Sequence, residues 1–395
     1  MASDPAFRAR IVERIAEISA EDWNACARAG GAAYNPFVDH RFLKALEDAG
    51  CVGGRSGWTP CHVVLEDDDG LAGVAPCYVK GHSQGEYVFD HAFADAYERA
   101  GGDYYPKLQV AVPFTPVTGP RLMAAPGRDR ALARSGLAAA LRGLMRQTET
   151  SSVHVTFTTE EEQEGLAAGG FLPRTDRQFH WRNDGYGSYD DFLATLASRK
   201  RKQLKRERRE ALADGLTVRH VTGADLTEAD WDAFFGFYMD TGARKWGRPY
   251  LNRRFFSLIG ETMPEAALLV LAEENGRPIA GALNFIGGDA LYGRYWGAVE
   301  DRPFLHFELC YHQAIDAAIA RGLPRVEAGA QGEHKLARGY LPEITRSAHL
   351  FADAGLQRAV ADYLARERKH VAQERQALTE SSPFRHATEG GGDDA

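Results

Sequence analysis

The sequence contains one pattern twice, and that doubling limits the folds open to it. Residues 62–81 read HVVLEDDDGLAGVAPCYVKG, and residues 268–288 read LLVLAEENGRPIAGALNFIGG. Each is an apolar run, an acidic turn closed by glycine, and a second apolar run, the signature of a β-hairpin. Gly70 answers Gly276, and Gly73 answers Gly281. Upstream, SAEDWNAC (19–26) resembles TEADWDAF (227–234), so Trp23 pairs with Trp231. NPFVDHRFLKAL (35–46) then matches RPYLNRRFFSLI (248–259), so Phe42 answers Phe255. The offsets stay between 206 and 213 residues. A hairpin alone recurs by chance. Several features in one order at nearly one offset point to an internal duplication.

Downstream, each half continues with a helix and then a strand: 131–147 before 152–157, and 304–322 before 325–330. Each half therefore reads as helices, a hairpin, another strand, a long helix and a strand. That order predicts α/β architecture, with mixed sheets covered by helices. A polar, Gly-rich stretch near residues 183–188 marks the boundary. The expected units are a first domain over 1–184, with an added segment at about 85–128, and a second over 185–380. The second begins with a basic helix at 189–213, and a polar tail over 381–395 is expected to be disordered.

Four segments carry candidate chemistry. In the helix beginning YDDFLATLASRKRKQLKRERREALADG, eight of the eleven residues 199–209 are Lys or Arg. Its apolar stripe is Leu193, Leu196, Leu204 and Ala211, and helical spacing puts Lys200 on that stripe. The net charge is only −8 overall, so this concentration of cations suggests an anionic partner bearing phosphate or carboxylate, held by Lys200, Arg201 and Lys205. A solvated charged helix is the plainer alternative. The second segment, 291–322, takes a strand through a turn into a helix whose first N–H groups face outward. It carries Tyr295, His306, Glu308 and His312, with Glu308 and His312 one turn apart. Capped, partly buried polar side chains would look the same.

The third segment, EAGAQGEHKLARGYLPEITRSAHL (327–350), follows a strand and is dense in Glu327, Gln331, Glu333, His334, Lys335 and Arg338. Strand ends in open sheets are where ligands collect. Glu333 or His334 suits proton relay, and Lys335 suits stabilising an oxyanion. A hydrophilic surface loop is the alternative. The fourth comprises YYPKL and VPFTPVTGPRL within 104–122, which can wall a groove or simply pack. TGARKWGRPYL (241–251) adds Arg244, Lys245 and Trp246 as an anion-and-stacking set. His334 has no second ligand at metal spacing, so no metal site is expected.

Five scattered cysteines without CxxC spacing fit reduced thiols. With no signal-peptide-like start and no apolar run of membrane length, a cytoplasmic protein is expected.

These segments resemble the Fem-type branch of the GNAT superfamily, in particular the FemAB-like group of predicted N-acyltransferases. The resemblance is carried by QFHWRNDGYGSYDDFLATLASRKRKQLKRERREA, ARKWGRPYL, LYGRYWGAVEDRPFLHFELCYHQAIDAAIARGL and EAGAQGEHKLARGYLP, and in the first half by FADAYERAGGDYYPKL and VPFTPVTGPRL. It covers about 15–375. It implies tandem GNAT-like domains without the helical-hairpin arm of some Fem proteins, and a bacterial N-acyl or aminoacyl transferase. The donor would be acyl-CoA or aminoacyl-tRNA as a co-substrate rather than a tightly bound cofactor. The acceptor would be an amine, such as one on a cell-wall precursor. Lys335 takes the place of the family's charge-stabilising lysine, with His334 where an aromatic residue precedes it, and Glu308, Glu333 or His334 is the general base. The competing expectation is a non-catalytic binder of phosphorylated cell-wall or lipid intermediates. Nucleic-acid binding through the basic helix alone is disfavoured, because no interleaved aromatics or reading motif accompany it.

Overall fold

The computed structural model describes residues 7–245, 249–330 and 332–385, without the side chains of residues 243–245 and 333. The first half runs β1 (Arg8–Val12), α1 (Ala20–Ala27), α2 (His40–Asp48), β2 (Trp58–Pro60), β3 (His62–Asp67), β4 (Gly70–Ala75), β5 (Cys77–Lys80), α3 (His91–Arg99), β6 (Lys107–Val110), β7 (Met123–Ala124), α4 (Arg130–Gln147), β8 (Ser152–Thr158), α5 (Glu160–Ala168) and β9 (Leu172–Arg182). The second runs α6 (Tyr189–Thr195), α7 (Ser198–Ala211), β10 (Thr217–Thr222), α8 (Glu228–Lys245), α9 (Arg253–Thr262), β11 (Ala267–Glu274), β12 (Arg277–Ile286) and β13 (Leu291–Ala298). It ends with α10 (Leu305–Phe307), a π-helical turn (Glu308–His312), α11 (Gln313–Ala320), β14 (Arg325–Glu327), a 3-10 turn (Glu333–Arg338), β15 (Leu341–Phe351) and α12 (Ala354–Glu380).

The duplication is visible in the pairing. The hairpins β3–β4 and β11–β12 turn through Gly70 and Gly276, both at positive φ, where a side chain would be strained. Gly73 lies opposite Leu65, and Gly281 lies opposite Leu271. Each half then makes one parallel pair, β6 with β8 and β13 with β14. One eleven-stranded sheet, in the order β10-β11-β12-β13-β14-β9-β15-β8-β6-β5-β2, spans both halves, and a second sheet holds β1-β3-β4-β7. The centre of the large sheet is an exchange. The last strand of the first half, β9, pairs with β14, the last strand of the second, β15, pairs with β8, and β9 and β15 pair antiparallel with each other. The order is thus symmetric about the β9/β15 seam.

A shared core lies under that symmetry. Trp23 and Trp231 are buried in one cluster with Phe42, Phe255 and Phe256. The equivalent rings of Phe42 and Phe255 touch each other, with centroids 5.6 Å apart and planes at 86°. Their helices are capped alike, α2 by Asp39 and α9 by Asn252, which satisfies N–H groups left free at a helix start. Burying each such ring contributes about 1.5–3 kcal/mol, so the two halves are joined by core as well as by chain.

Three expectations change. The residues 107–110, read as part of an added segment, form β6, the counterpart of β13. The single basic helix is two: Leu196 and Ala197 are extended, and Ala197 N–H donates to Pro383 O at 3.0 Å. The stripe residues Leu193, Leu196, Leu204 and Ala211 are all buried. Lys200 is only half-buried, because the break places it in the first turn of a new helix. The segment that accepts at the break is the third change: Ser381–Arg385 do not hang free, since Phe384 bridges Leu196 and Arg385 N–H donates to Thr195 O.

Candidate functional site

The sheet opens where β13 and β14 part. They pair only through Leu291↔Val326 and Tyr292↔Glu327; β14 then stops, while β13 runs on to Ala298. Just beyond the last pair, β13 shifts register, passing from Asn284↔Gly293 to Leu283↔Tyr295. Arg294 is therefore the extra residue of a bulge, a device that re-aims side chains and is common beside active sites. Among the described residues, no hydrogen bond joins 293–297 to 328–330.

The polypeptide leaving β14 passes through Ala328 and Gly329 into the 3-10 turn. Lys335 folds back from that turn, is buried, and donates its ammonium to the carbonyls of Ala328 and Gly329. No carboxylate pairs with it among the described residues. Burial pulls the amine down to about 8, since a low-dielectric site disfavours the charged form. His334 is exposed, 3.0 Å from the Tyr311 hydroxyl, and its ring lies 5.2 Å from Phe307. Burial pushes its pKa down, and Arg338 and Lys335 add to that. Gly332 sits at φ +100, and a Cβ there would strike the His334 ring, so glycine sets the turn. Trp296, His306, Phe307, Tyr311 and His334 form a continuous aromatic run. A cavity of about 290 Å³ opens beside it, lined by Thr241, Trp296, Ala298, Glu300, Arg302 and His306.

Behind the turn lies a buried polar network. Arg338 stacks over Phe307 at 3.5 Å and donates to Glu207 at 2.7 Å. Burial raises the Glu207 carboxyl, but nearby His312, with Nε2 at 3.8 Å, a hydrogen bond from Gln203 and the charge of Arg338 outweigh it, and hold it at about 2. Glu308 is fully buried; Arg208 reaches both its oxygens, at 3.0 and 3.2 Å, and also binds Asp316. His312 is fully buried and hydrogen-bonded to Tyr189 at 2.6 Å. These groups clamp α7 to the π-helical turn.

Of the residues singled out in the sequence, Lys335 and His334 therefore lie at the opening, and Arg338 and Glu308 stand behind them, tied to Glu207 and Arg208. Tyr295 is on the opposite face of β13, where its hydroxyl and Arg294 both donate to Phe114 O, at 3.1 and 2.7 Å. Lys200 and Arg201 are half-buried at the start of α7, and Lys205 is exposed and paired with Asp190 at 2.8 Å. Trp246, Gln331 and the side chains of Arg244, Lys245 and Glu333 lie outside the described residues. No strong signal in the sequence marks His180, Gln178 or Arg294. Their strands read as packing, and only the two-residue pairing of β14 shows that the sheet opens beside them.

Comparison with known proteins bears on this geometry. The FemAB-like family profile, described as peptidoglycan biosynthesis/recognition, matches residues 14–386. The chain belongs to the FemAB-like family. Its fold is the tandem GNAT-like, Fem-type arrangement: FemX matches at 13% identity with a TM-score of 0.54, covering 87% of this chain and 98% of FemX. The C-terminal DUF2156 domain of a putative lysylphosphatidylglycerol synthetase from Agrobacterium fabrum matches at 9% identity and a TM-score of 0.54, covering 87% of this chain and 96% of that one. No curated protein matches the sequence. In this FemAB-like chain, the segment 189–211 packs on the π-helical turn and α11 instead of projecting as a hairpin arm. Among the described residues, no helix is long and apolar enough to cross a membrane, and no group of three or more His, Cys, Asp or Glu could hold a metal ion.

Proposed function

We propose that this FemAB-like protein is an N-acyl or aminoacyl transferase, moving an activated acyl group to an amine of a cell-wall precursor at the opening between β13 and β14. The observation that carries the reading is Lys335: a buried ammonium whose partners among the described residues are carbonyls, on a glycine-flanked turn at the point where the sheet parts. A cation held this way can swing from backbone carbonyls to an oxyanion as charge develops there, and in a water-poor site that interaction is strong. The amine attacks the carbonyl carbon of a thioester or ester. Lys335 stabilises the tetrahedral oxyanion, and the leaving group takes up a proton as the intermediate collapses. His334, exposed and held toward its neutral form, stands next to the same turn and suits that proton relay. The aromatic run and the adjoining cavity suit the donor's chain, and Lys200 and Arg201 suit its phosphates.

Lys335→Ala is expected to lower turnover by at least a hundredfold while the thermal midpoint stays within a few degrees. A matching loss of folding would make the lysine structural. Unchanged transfer would end the assignment. The donor is chosen by thermal shift: acyl-CoA stabilises the protein in one case, and in the other a charged tRNA binds with an affinity that collapses with salt. Ligand binding indifferent to Lys335, with no transfer from any donor, would instead favour a non-catalytic binder of phosphorylated precursors.

A further inference from the structure

The face of the opening away from Trp296 carries a second set of polar groups. Glu327, the last residue of β14, lies directly opposite His180 of β9 and Tyr292 of β13, and residues opposite one another share a face. Tyr292 packs into the core shared by the two halves, so Glu327 points toward the first half. Glu327 is 4% exposed. Its Oε1 accepts from Arg325 Nε at 3.0 Å. Among the described residues, its Oε2 is buried and accepts no hydrogen bond.

That oxygen is unusual. A carboxylate oxygen removed from water without a donor is costly, and buried polar atoms are rarely left so. The neighbouring groups do not supply the donor. His180 Nε2 is 3.8 Å away, and its hydrogen-bond partner is Gln178 Oε1 at 3.4 Å. Gln178 in turn donates to Pro116 O of the first half at 2.6 Å, which fixes its amide orientation and makes His180 Nε2 the donor. Burial holds His180 below its usual pKa, so it brings no cation to the site at neutral pH. Arg325 also binds Asp289 at 2.6 Å, so one cation is shared by two carboxylates and the group keeps a net negative charge. Arg294, on the same face, is turned to Phe114 O.

We infer that Glu327 Oε2 is the acceptor subsite: it binds the primary ammonium of the acceptor on the face of the sheet opening opposite the donor, and takes its proton. This rests on the N-acyl transfer reading above, in which the acceptor is an amine. The ammonium gives one proton to Glu327 Oε2. The freed lone pair attacks the acyl carbon, forming the C–N bond. Collapse breaks the donor's C–S or C–O bond, and the leaving thiolate or alkoxide takes the second proton from nitrogen. Glu327 then releases its proton to solvent.

The test uses the full chain and 5-aminopentanamide, which has a single primary amine, with its N-acetylated form as control. Ligand-observed NMR titration of the wild type should show the amine binding and the acetylated form at least tenfold weaker. Glu327→Gln, which keeps the shape and removes the charge, should raise the amine Kd tenfold or more. Should that variant fail to fold, Glu327→Asp, which withdraws the carboxylate, must still weaken binding severalfold. Equal affinity in the wild type and the variant, equal binding of the acetylated form, or no amine binding to the wild type each overturns the assignment. Donor binding is read separately by thermal shift in the wild type and Lys335→Ala. An amine site with no donor site would sink the transfer reading and leave Glu327 standing, and the reverse would sink Glu327 alone.

Discussion

In the second half, β12 runs unbroken from Arg277 to Ile286 and pairs with β11 on one side and β13 on the other. In the first half the same strand is cut at Pro76 into β4 and β5, which enter different sheets. Proline lacks the N–H a central strand needs. The partner strand is cut at the same level into β2 and β3, where Cys61 N–H donates to Cys77 O. The two openings differ as well. Beyond the β6/β8 pair, Arg121 donates to Thr156 O at 3.0 Å and Gly119 N–H donates to Phe157 O, so the first half's own loop fills the gap. Arg121 also donates to Val117 O and Pro120 O. The same loop then offers Phe114 O to Arg294 of the second half and Pro116 O to Gln178 of β9, beside the seam. One copy has become a plug and a wall, and the other keeps an open sheet with a lysine at its lip. On the proposed reading, doubling supplies one reaction centre, and the first half completes its far face.

The first half's interior is held by charge, and removing that charge gives the largest expected effect. Lys107 is fully buried between Glu86, at 2.8 Å, and Asp90, with Ser83 also accepting at 2.8 Å. Burial pulls this lysine down, and the two carboxylates more than reverse it. Beside it Lys80 sits 3.9 Å over the Trp58 ring, lowered to about 7 by burial, while burial raises Glu86 to about 7. Lys107→Met strands two carboxylates in the core and should cost about 3–5 kcal/mol, read by urea unfolding. Among the described residues the second half has no such cluster at β13, so a cost below about 1 kcal/mol would erase this contrast.

Acid should act where β8 of the first half meets β15 of the second. His154 and His349 face each other at 2.7 Å between their Nδ1 atoms, both fully buried. Burial lowers His154 to about 3, helped by Lys107 and opposed by Asp90; burial and His154 hold His349 well below its ordinary value. Their folded pKa values lie below the unfolded value, so the unfolded chain binds more protons once the pH falls under about 6.5. The stability they carry is whole above that value and drains as pH falls below it, for His154 toward about 3. His154 contributes a slope of about 1.4 kcal/mol per pH unit within that window. His154→Gln should remove roughly one such slope between about pH 6 and 4. An unchanged slope would mean that the pair does not stay neutral.

These contrasts explain what was legible in the chain and what was not. The hairpins, Trp23, Trp231, Phe42 and Phe255 could be read because turn glycines and buried aromatics are local signals. The strand β6 was missed because KLQV places Lys107 and Gln109 at fully buried positions, and only distant Glu86, Asp90 and Thr156 make that tolerable. The exchange of β9 and β15 leaves no local trace, since either strand could have paired within its own half. The break before α7 depends on Pro383 and Phe384, far along the chain. Lys335 was read from its turn, and Glu327 was noticed only as one acid in a polar stretch. Its significance appears when β14 is seen to end there.

The smallest effect separates two residues that the duplication made equivalent. Trp23 Nε1 donates to Val38 O at 2.8 Å inside the shared core. Trp231 Nε1 is equally buried and has no hydrogen-bond partner among the described residues; it faces Gly260, where an added Cβ would stand 2.5 Å from it. Phenylalanine in either place removes an indole N–H and some packing volume. At Trp23 it also leaves a buried carbonyl without its donor, which costs about 1–3 kcal/mol. At Trp231 it removes an unsatisfied donor, a gain that offsets part of the lost packing. Trp23→Phe should thus be the more destabilising by roughly 1 kcal/mol, a difference of several degrees in thermal midpoint at most. Trp231→Phe costing as much or more would show that the two indoles are held alike, and that the halves have diverged only at their strands and openings.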